Sequence, residues 1–346
     1  MFIQNAWYPV AHSKEIGRKI LARRICDKPL VMFRTHDGTV AILEDLCCHR
    51  LLPLSHGKLN GDNIVCGYHG MEFNAAGACV NIPCQERINP NAKVKSYPTV
   101  ERHNFVWTWI GDESLANSDE IPDFSWNDSS EWRGDSASML LQCDYRLLID
   151  NLLDLSHESY VHWRWEYEEI ARAPIKTTQE GETVTVSRVS EPMEYEEWSN
   201  WGNWMKRAIG YQGPFYRFQH CIFTKPCFVI IDSGAIKKGC EYPNSNLEES
   251  IRGKMINCAV PSTPTSCWHL FSWPRNYALD DHRLTADIIK ILYDVFLEDV
   301  EVLEAQQRSI LENPDRSMVS IAVDAGPMKA RRIIEQNLDG AKRAAE

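Results

Sequence analysis

The chain has 346 residues, enough for two domains, and its 44% hydrophobic and 25% charged content is that of an ordinary globular protein. A formal net charge of −11 argues against nucleic acid as a partner. No apolar run reaches the length that spans a bilayer, and the start, Met1 to Tyr8, lacks the basic and apolar regions of a signal peptide. Twelve cysteines, mostly scattered, do not read as a disulfide framework and predict a reducing compartment, the cytoplasm.

The first third reads as short strands and turns. Leu30–Arg34 and Val40–Leu43 flank His36-Asp37-Gly38, a hairpin signal. Cys47-Cys48-His49 follows, and Ile64-Val65 leads into Cys66-Gly67-Tyr68-His69. These are two Cys/His pairs, C-x-H and C-x-x-H, at the spacing of a Rieske [2Fe–2S] centre. There, two thiolates hold one iron and two neutral imidazoles the other, which raises the reduction potential. A structural zinc site of the same composition usually pairs like with like, two Cys and then two His. Gly57, Gly61, Gly67, Gly70 and Pro53 suit tight loops around the ligands, and the Tyr68 hydroxyl could add a hydrogen bond.

Phe105–Gly111 reads as a strand, and the polar stretch Asp112–Asp128 as a linker. The division falls there, with residues 1–115 as one domain and 116–346 as the other. The second domain is mixed. Tyr145–His162 reads as a leucine-rich helix, and Thr183–Ser187, Cys227–Ile231 and Trp268–Trp273 as strands. Thr285–Leu311 is a long amphipathic helix, and Asn337–Glu346 a tail expected to fray.

A second constellation lies in Asp154-Leu155-Ser156-His157-Glu158-Ser159-Tyr160-Val161-His162. The histidines are five apart, about 140° around a regular helix, so both can reach one metal only if the helix ends or distorts between them. Asp154 falls on nearly the same face as His157. On the long helix, Ile288, Ile289, Leu292, Val295, Phe296, Val302, Leu303 and Ile310 form an apolar stripe with Asp299 at its middle, while Lys290, Asp294, Glu301 and Glu304 lie on the polar side. A carboxylate on an apolar face needs a cation or a metal. Arg308 and Arg146 are candidate cations. The metal alternative joins His157, His162 and Asp299 into two histidines and one carboxylate with open positions, the facial triad of non-haem Fe(II) oxygenases.

Together these motifs resemble the Rieske non-haem iron oxygenases, in particular the oxygenase components of vanillate O-demethylase, dicamba monooxygenase and toluenesulfonate methyl-monooxygenase. The resemblance covers nearly the whole chain. Besides both ligand sets it includes Asn5-Ala6-Trp7-Tyr8, Cys143–Leu147, Asp150–His157, Glu298-Asp299, Asp324-Ala325-Gly326 and Arg331-Arg332. It implies an α+β protein, with an N-terminal all-β Rieske domain and a C-terminal helix-grip catalytic domain built on an antiparallel sheet. It implies that Cys47, His49, Cys66 and His69 bind the cluster, and that His157, His162 and Asp299 bind mononuclear Fe(II). Asp154 matches the aspartate that bridges a Rieske histidine to an iron-ligating histidine across neighbouring subunits of a homotrimer. The implied reaction consumes O2, with electrons from NAD(P)H through a separate flavin and ferredoxin-type reductase. It attacks a methoxy or methyl group of an aromatic acid. An electron-transfer Rieske protein with an appended ligand-binding domain is the rival from another class, and it gives no reason for His157, His162 and Asp299 together.

Some positions depart from the family pattern. Cys48, Leu51 and His56 differ from the usual cluster loops, and Cys48 is read as a small packing residue. Trp163-Arg164-Trp165-Glu166-Tyr167 follows His162 directly. Trp163 and Trp165 could narrow a substrate pocket, and Arg164 could meet a carboxylate or sulfonate; surface or interface packing is the alternative. Trp198, Trp201 and Trp204 recur at helical spacing and are read as core or interface packing rather than a substrate lid. Tyr211, Phe215, Phe218 and His220 are further pocket candidates by position.

Overall fold

The computed structural model describes residues 1–162, 168–196, 199–240 and 248–343. The chain divides into two compact units, Met1–Asp123 with Val260–Pro264, and Phe124–Ala259 with Thr265–Glu346. This border falls inside the expected linker, Asp112–Asp128. The linker forms short 3-10 turns, Glu113–Leu115 and Ser118–Glu120, each opened by a side chain (Asp112, Asn117) that accepts a backbone N–H two residues on.

The first unit is built from small antiparallel sheets. Lys28–Arg34 pairs with Val40–Glu44 as the expected hairpin, Leu30 opposite Glu44 and Arg34 opposite Val40, with Gly38 taking the left-handed conformation its turn requires. Val31, Phe33, Leu43, Leu54, Ile64 and Phe73 form a core together with the buried Cys47 and Cys66. The two thiols are therefore anchored by hydrophobic packing.

In the second unit a seven-stranded antiparallel sheet runs in the order Ser136–Leu141, Ser266–Ser272, Ser250–Thr263, Phe228–Lys237, Phe215–Thr224, Thr183–Val189 and Lys176–Glu180. Strand alternation fixes its faces. Gln219 stands opposite both Arg188 and Ser233, so these three share one face, while the row His220, Asp232 and Lys254 lies on the other.

The helix expected over Tyr145–His162 is two. Tyr145–Leu153 starts at Asp144, whose side chain accepts from the Arg146 N–H, and stops at Asp154, where the backbone turns extended. A short helix, Glu158–Val161, follows after a turn. The long helix spans His282–Glu312 and buries Leu284, Ile288, Leu292, Phe296, Asp299, Leu303 and Gln307 along one stripe. Val302, expected in that stripe, is exposed. Two side chains tether the helix: Gln307 Oε1 accepts from the Asp144 N–H (2.8 Å) and Glu304 Oε1 from the Gln142 N–H (2.9 Å).

The tail differs from expectation, because residues 337–343 continue the helix Ala325–Arg343. This helix docks through a bidentate Arg331–Asp150 pair. Its Gly326 lies so close to Val186 that a Cβ there would stand 2.2 Å from the Val186 Cγ2. That explains two of the motif positions late in the chain.

Candidate metal centres and cavity

The two histidines meet because the helix between them, Glu158–Val161, is a single turn that ends before His162. His157 sits at the start of the short helix and His162 at its end, with φ −105° and ψ 32°. Asp299 projects from the buried stripe of the long helix. The Nε2 atoms of His157 and His162 lie 3.4 and 3.3 Å from Asp299 Oδ1. Among the described residues, only these three bring metal-ligating atoms within 4.8 Å of one another.

Their surroundings aim the two Nε2 atoms inward. His157 Nδ1 is hydrogen-bonded to the backbone carbonyl of Asp154, and His162 Nδ1 to Glu298 Oε2 at 2.8 Å. A ring nitrogen that donates to a carbonyl or carboxylate places the lone pair on the opposite nitrogen, the form a metal requires. Asn151 donates to Asp299 Oδ1 at 2.8 Å, steadying the carboxylate. Arg146 is engaged by Asp144 instead, and Arg308 is exposed.

Electrostatics agree. Burial disfavours the Asp299 charge, but hydrogen bonds from both histidines outweigh it and hold the carboxyl well below its usual range. Burial likewise pulls His162 down, yet Asp299 and Glu298 push it up to about 9. A buried, ionised carboxylate between two imidazoles is a site poised for a cation.

The Cys/His motifs form two loops of the same design. Cys47 N–H donates to the Leu52 carbonyl, and Leu51 N–H back to Cys47; Cys66 N–H donates to Met71, and Gly70 N–H back to Cys66. The fifth residue of each loop, Leu51 or Gly70, takes positive φ. Cys47 and Cys66 are buried, while His49 and His69 are exposed with ring centroids 4.6 Å apart. No three of the four ligating atoms cluster within 4.8 Å, as a single zinc would demand. Two thiols below and two imidazoles above suit a binuclear cluster instead. Burial pushes the Cys47 thiol up to about 11, a cost that bound iron would offset. The Tyr68 ring lies against His69, centroids 3.9 Å apart, and is exposed.

Residues 6–98 match the Rieske [2Fe-2S] domain model, and residues 141–340 match that of the vanillate O-demethylase oxygenase C-terminal domain. The chain belongs to the vanillate O-demethylase oxygenase family. A vanillate O-demethylase oxygenase subunit from Pseudomonas sp. is 35% identical, over 100% of this chain and 98% of that protein. A toluene-4-sulfonate monooxygenase iron–sulfur subunit from Comamonas testosteroni is 36% identical, over 98% and 97%. The crystal structure of dicamba monooxygenase bound to 3,6-dichlorosalicylic acid superposes with a TM-score of 0.88 at 29% identity, covering 98% of this chain and 99% of that one. The chain is thus a Rieske non-haem iron monooxygenase component, as its motifs implied.

Beside the histidine–aspartate triad this oxygenase has a cavity of about 140 Å³, close to the ~150 Å³ of an apolar cavity that holds benzene. The long helix contributes Leu292, Val295 and Phe296 to its wall. Trp201 and Trp204 line it as well, their centroids 5.0 Å apart and 6.0 and 5.9 Å from that of Trp273. These two indoles are buried in the core, as read from their spacing, and they also wall the cavity. Phe218 and His220 point to the opposite sheet face, and none of Tyr211, Phe215, Phe218 and His220 reaches the cavity. Trp163, Arg164, Trp165 and Trp198 lie outside the described residues.

Sequence reasoning missed Asn151, Glu298, Glu158, Arg188, Arg217 and Gln219. Asn151 and Glu298 lie inside motif stretches, which was a signal. For Arg217 and Gln219 the signal was weaker, polar residues alternating with aromatic ones along one strand. Arg188, almost fully buried, donates to the Leu155 carbonyl (2.9 Å), Gln219 Oε1 (2.8 Å) and Glu158 Oε2 (2.5 Å), clasping the turn that carries His157.

Proposed function

We propose that this chain is the terminal oxygenase of a multi-component, NAD(P)H-dependent Rieske monooxygenase that uses O2 to O-demethylate or hydroxylate a methoxy or methyl substituent of a vanillate-like aromatic acid. The observation that carries this reading is the inward-facing donor set of His157, His162 and Asp299 at the edge of an aromatic-walled cavity of single-ring size. Residues 1–115 form its Rieske domain and 116–346 its catalytic domain. Cys47, His49, Cys66 and His69 would hold the [2Fe–2S] cluster, and His157, His162 and Asp299 the mononuclear Fe(II). When bound, these groups supply O2 activation, with electrons delivered by a separate flavin and ferredoxin-type reductase.

The chain's own residues do the positioning. Asn151 and Glu298 hold Asp299 and His162 in ligating orientation. Trp201, Trp204 and Phe296 exclude water and present flat surfaces to a ring. Asp154, half-buried beside His157 with Oδ1 accepting from the Ser156 N–H and hydroxyl, is the proposed bridging aspartate of a homotrimer. Trp163, Arg164 and Trp165 are further proposed substrate contacts. All twelve cysteines are free, in keeping with a cytoplasmic enzyme; among the described residues no helix is long and apolar enough to cross a membrane.

The test is NADH-driven turnover with an added reductase on vanillate, 4-methoxybenzoate and toluene-4-sulfonate, scored for O2 uptake, formaldehyde and alcohol. Formaldehyde matched to substrate loss establishes demethylation, and a benzylic alcohol without formaldehyde establishes methyl hydroxylation. Product from none of the three rejects the aromatic-acid reading.

A further inference from the structure

Among the described residues, the cavity wall carries a single permanently cationic side chain, Arg217. Arg217 and Gln219 alternate onto the cavity face of the strand Phe215–Thr224. The Arg217 side chain is only 9% exposed, and its guanidinium lies over the Trp201 ring, 5.4 Å from the centroid. It approaches Glu158 Oε2 at 3.7 Å, too far for a direct hydrogen bond. Glu158 is held more closely by Arg188 at 2.5 Å and Gln219 at 3.0 Å. Arg217 thus brings a buried cation to the wall of the cavity, where burial weakens the screening of its charge.

The neighbouring surfaces are chosen for a ring. Trp201, Trp204 and Trp273 pack edge-on and tilted beside the guanidinium. An arginine fork binds planar carboxylates and the oxygens of sulfonates with two parallel hydrogen bonds, which a lysine cannot reproduce. We infer that Arg217 receives the anionic group of the substrate and makes this cavity select aromatic carboxylates or sulfonates over neutral aromatics of the same shape. This rests on the aromatic-acid reading above and names the residue that enforces it.

The test is equilibrium binding, by calorimetry, of 4-methoxybenzoate, toluene-4-sulfonate and the neutral 4-methylanisole to the metal-loaded protein. Wild type, R217Q, R217K and R164Q are compared, each checked for its Rieske absorption. Wild type is expected to prefer the anions, and the stronger of the two identifies carboxylate or sulfonate as the natural group. R217Q is expected to lose about 10- to 100-fold on both anions while 4-methylanisole binds as before. R217K, keeping charge without the fork, falls between, and it decides the matter if R217Q does not fold. Equal weakening of neutral and anionic probes would make Arg217 a structural residue and overturn the inference. So would anion binding that survives R217Q and is lost in R164Q. Wild type binding all three equally rejects the role of Arg217 but leaves an aromatic substrate standing, whereas binding none rejects the aromatic reading itself.

Discussion

His162 Nδ1 stands 2.8 Å from Glu298 Oε2, one residue before the carboxylate that His162 Nε2 faces. Two adjacent acids on the long helix thus address opposite sides of one imidazole. Glu298 accepts the Nδ1–H hydrogen bond and Asp299 shares the metal position, so the tautomer is set by the same helix that supplies the third ligand. Glu298→Ala is expected to weaken Fe(II) binding by about 10- to 100-fold without removing a ligand. Chelator competition measures it, and unchanged affinity would show that the ring is oriented by packing alone.

Asp299→Asn keeps the size of the side chain and an oxygen for Asn151 but removes the charge. The expected product is a folded protein that retains its cluster absorption, because the Cys/His ligands belong to the other compact unit, yet loses mononuclear iron. Iron content and visible spectra together test this, and full mononuclear iron in the variant would remove Asp299 from the ligand set.

Metal affinity should rise with pH. In the metal-free protein His162, facing Asp299, Glu298, His157 and Glu158, titrates near pH 9, above its ordinary 6.5. Its protonated form stabilises the metal-free fold fully below about pH 6.5, and that contribution is lost as pH rises through about 9. Binding a metal requires the neutral ring and releases the proton. Co(II) titrations between pH 6.5 and 9 should therefore show affinity increasing and proton release decreasing with pH; a flat profile would mean that the ring is already neutral.

Leu51 occupies the left-handed position (φ 58°) that Gly70 fills in the sister loop (φ 74°). Its side chain is 66% exposed, so little packing offsets the strain. A non-glycine residue there costs roughly 1–2 kcal/mol, of which glycine's greater unfolded-state freedom returns about half. Leu51→Gly is expected to stabilise the first unit by about 0.5 kcal/mol, read as a small rise in its melting temperature. A fall would show that Leu51 makes a contact that matters.

Arg188→Met removes the clasp on the turn Leu155–Glu158 and takes from Glu158 its closest cationic partner. Loss of one partner of a buried ion pair typically costs about 3–5 kcal/mol. Denaturant unfolding should show a loss of that size together with weaker iron retention; a shift under about 1 kcal/mol would place the pair among the weakly contributing ones.

The sequence by itself determined the chemistry on offer. Ligand types and spacing are local properties, so C-x-H with C-x-x-H specified two Cys/His loops, and Asp299 betrayed itself as a charge inside an apolar helical stripe. The same periodicity placed the long helix and the hairpin around Gly38. It also required a break between His157 and His162, without saying where. Only the tertiary structure decided that the helix ends at Val161, that both Nε2 atoms face Asp299, and that Asn151 and Glu298 hold the set. The cavity wall was likewise invisible in one dimension, since Arg217, Trp201 and Phe296 come from a strand and two helices far apart in the chain. Which face of a strand meets a cavity depends on register with its neighbours, and register is settled by packing across the whole sheet.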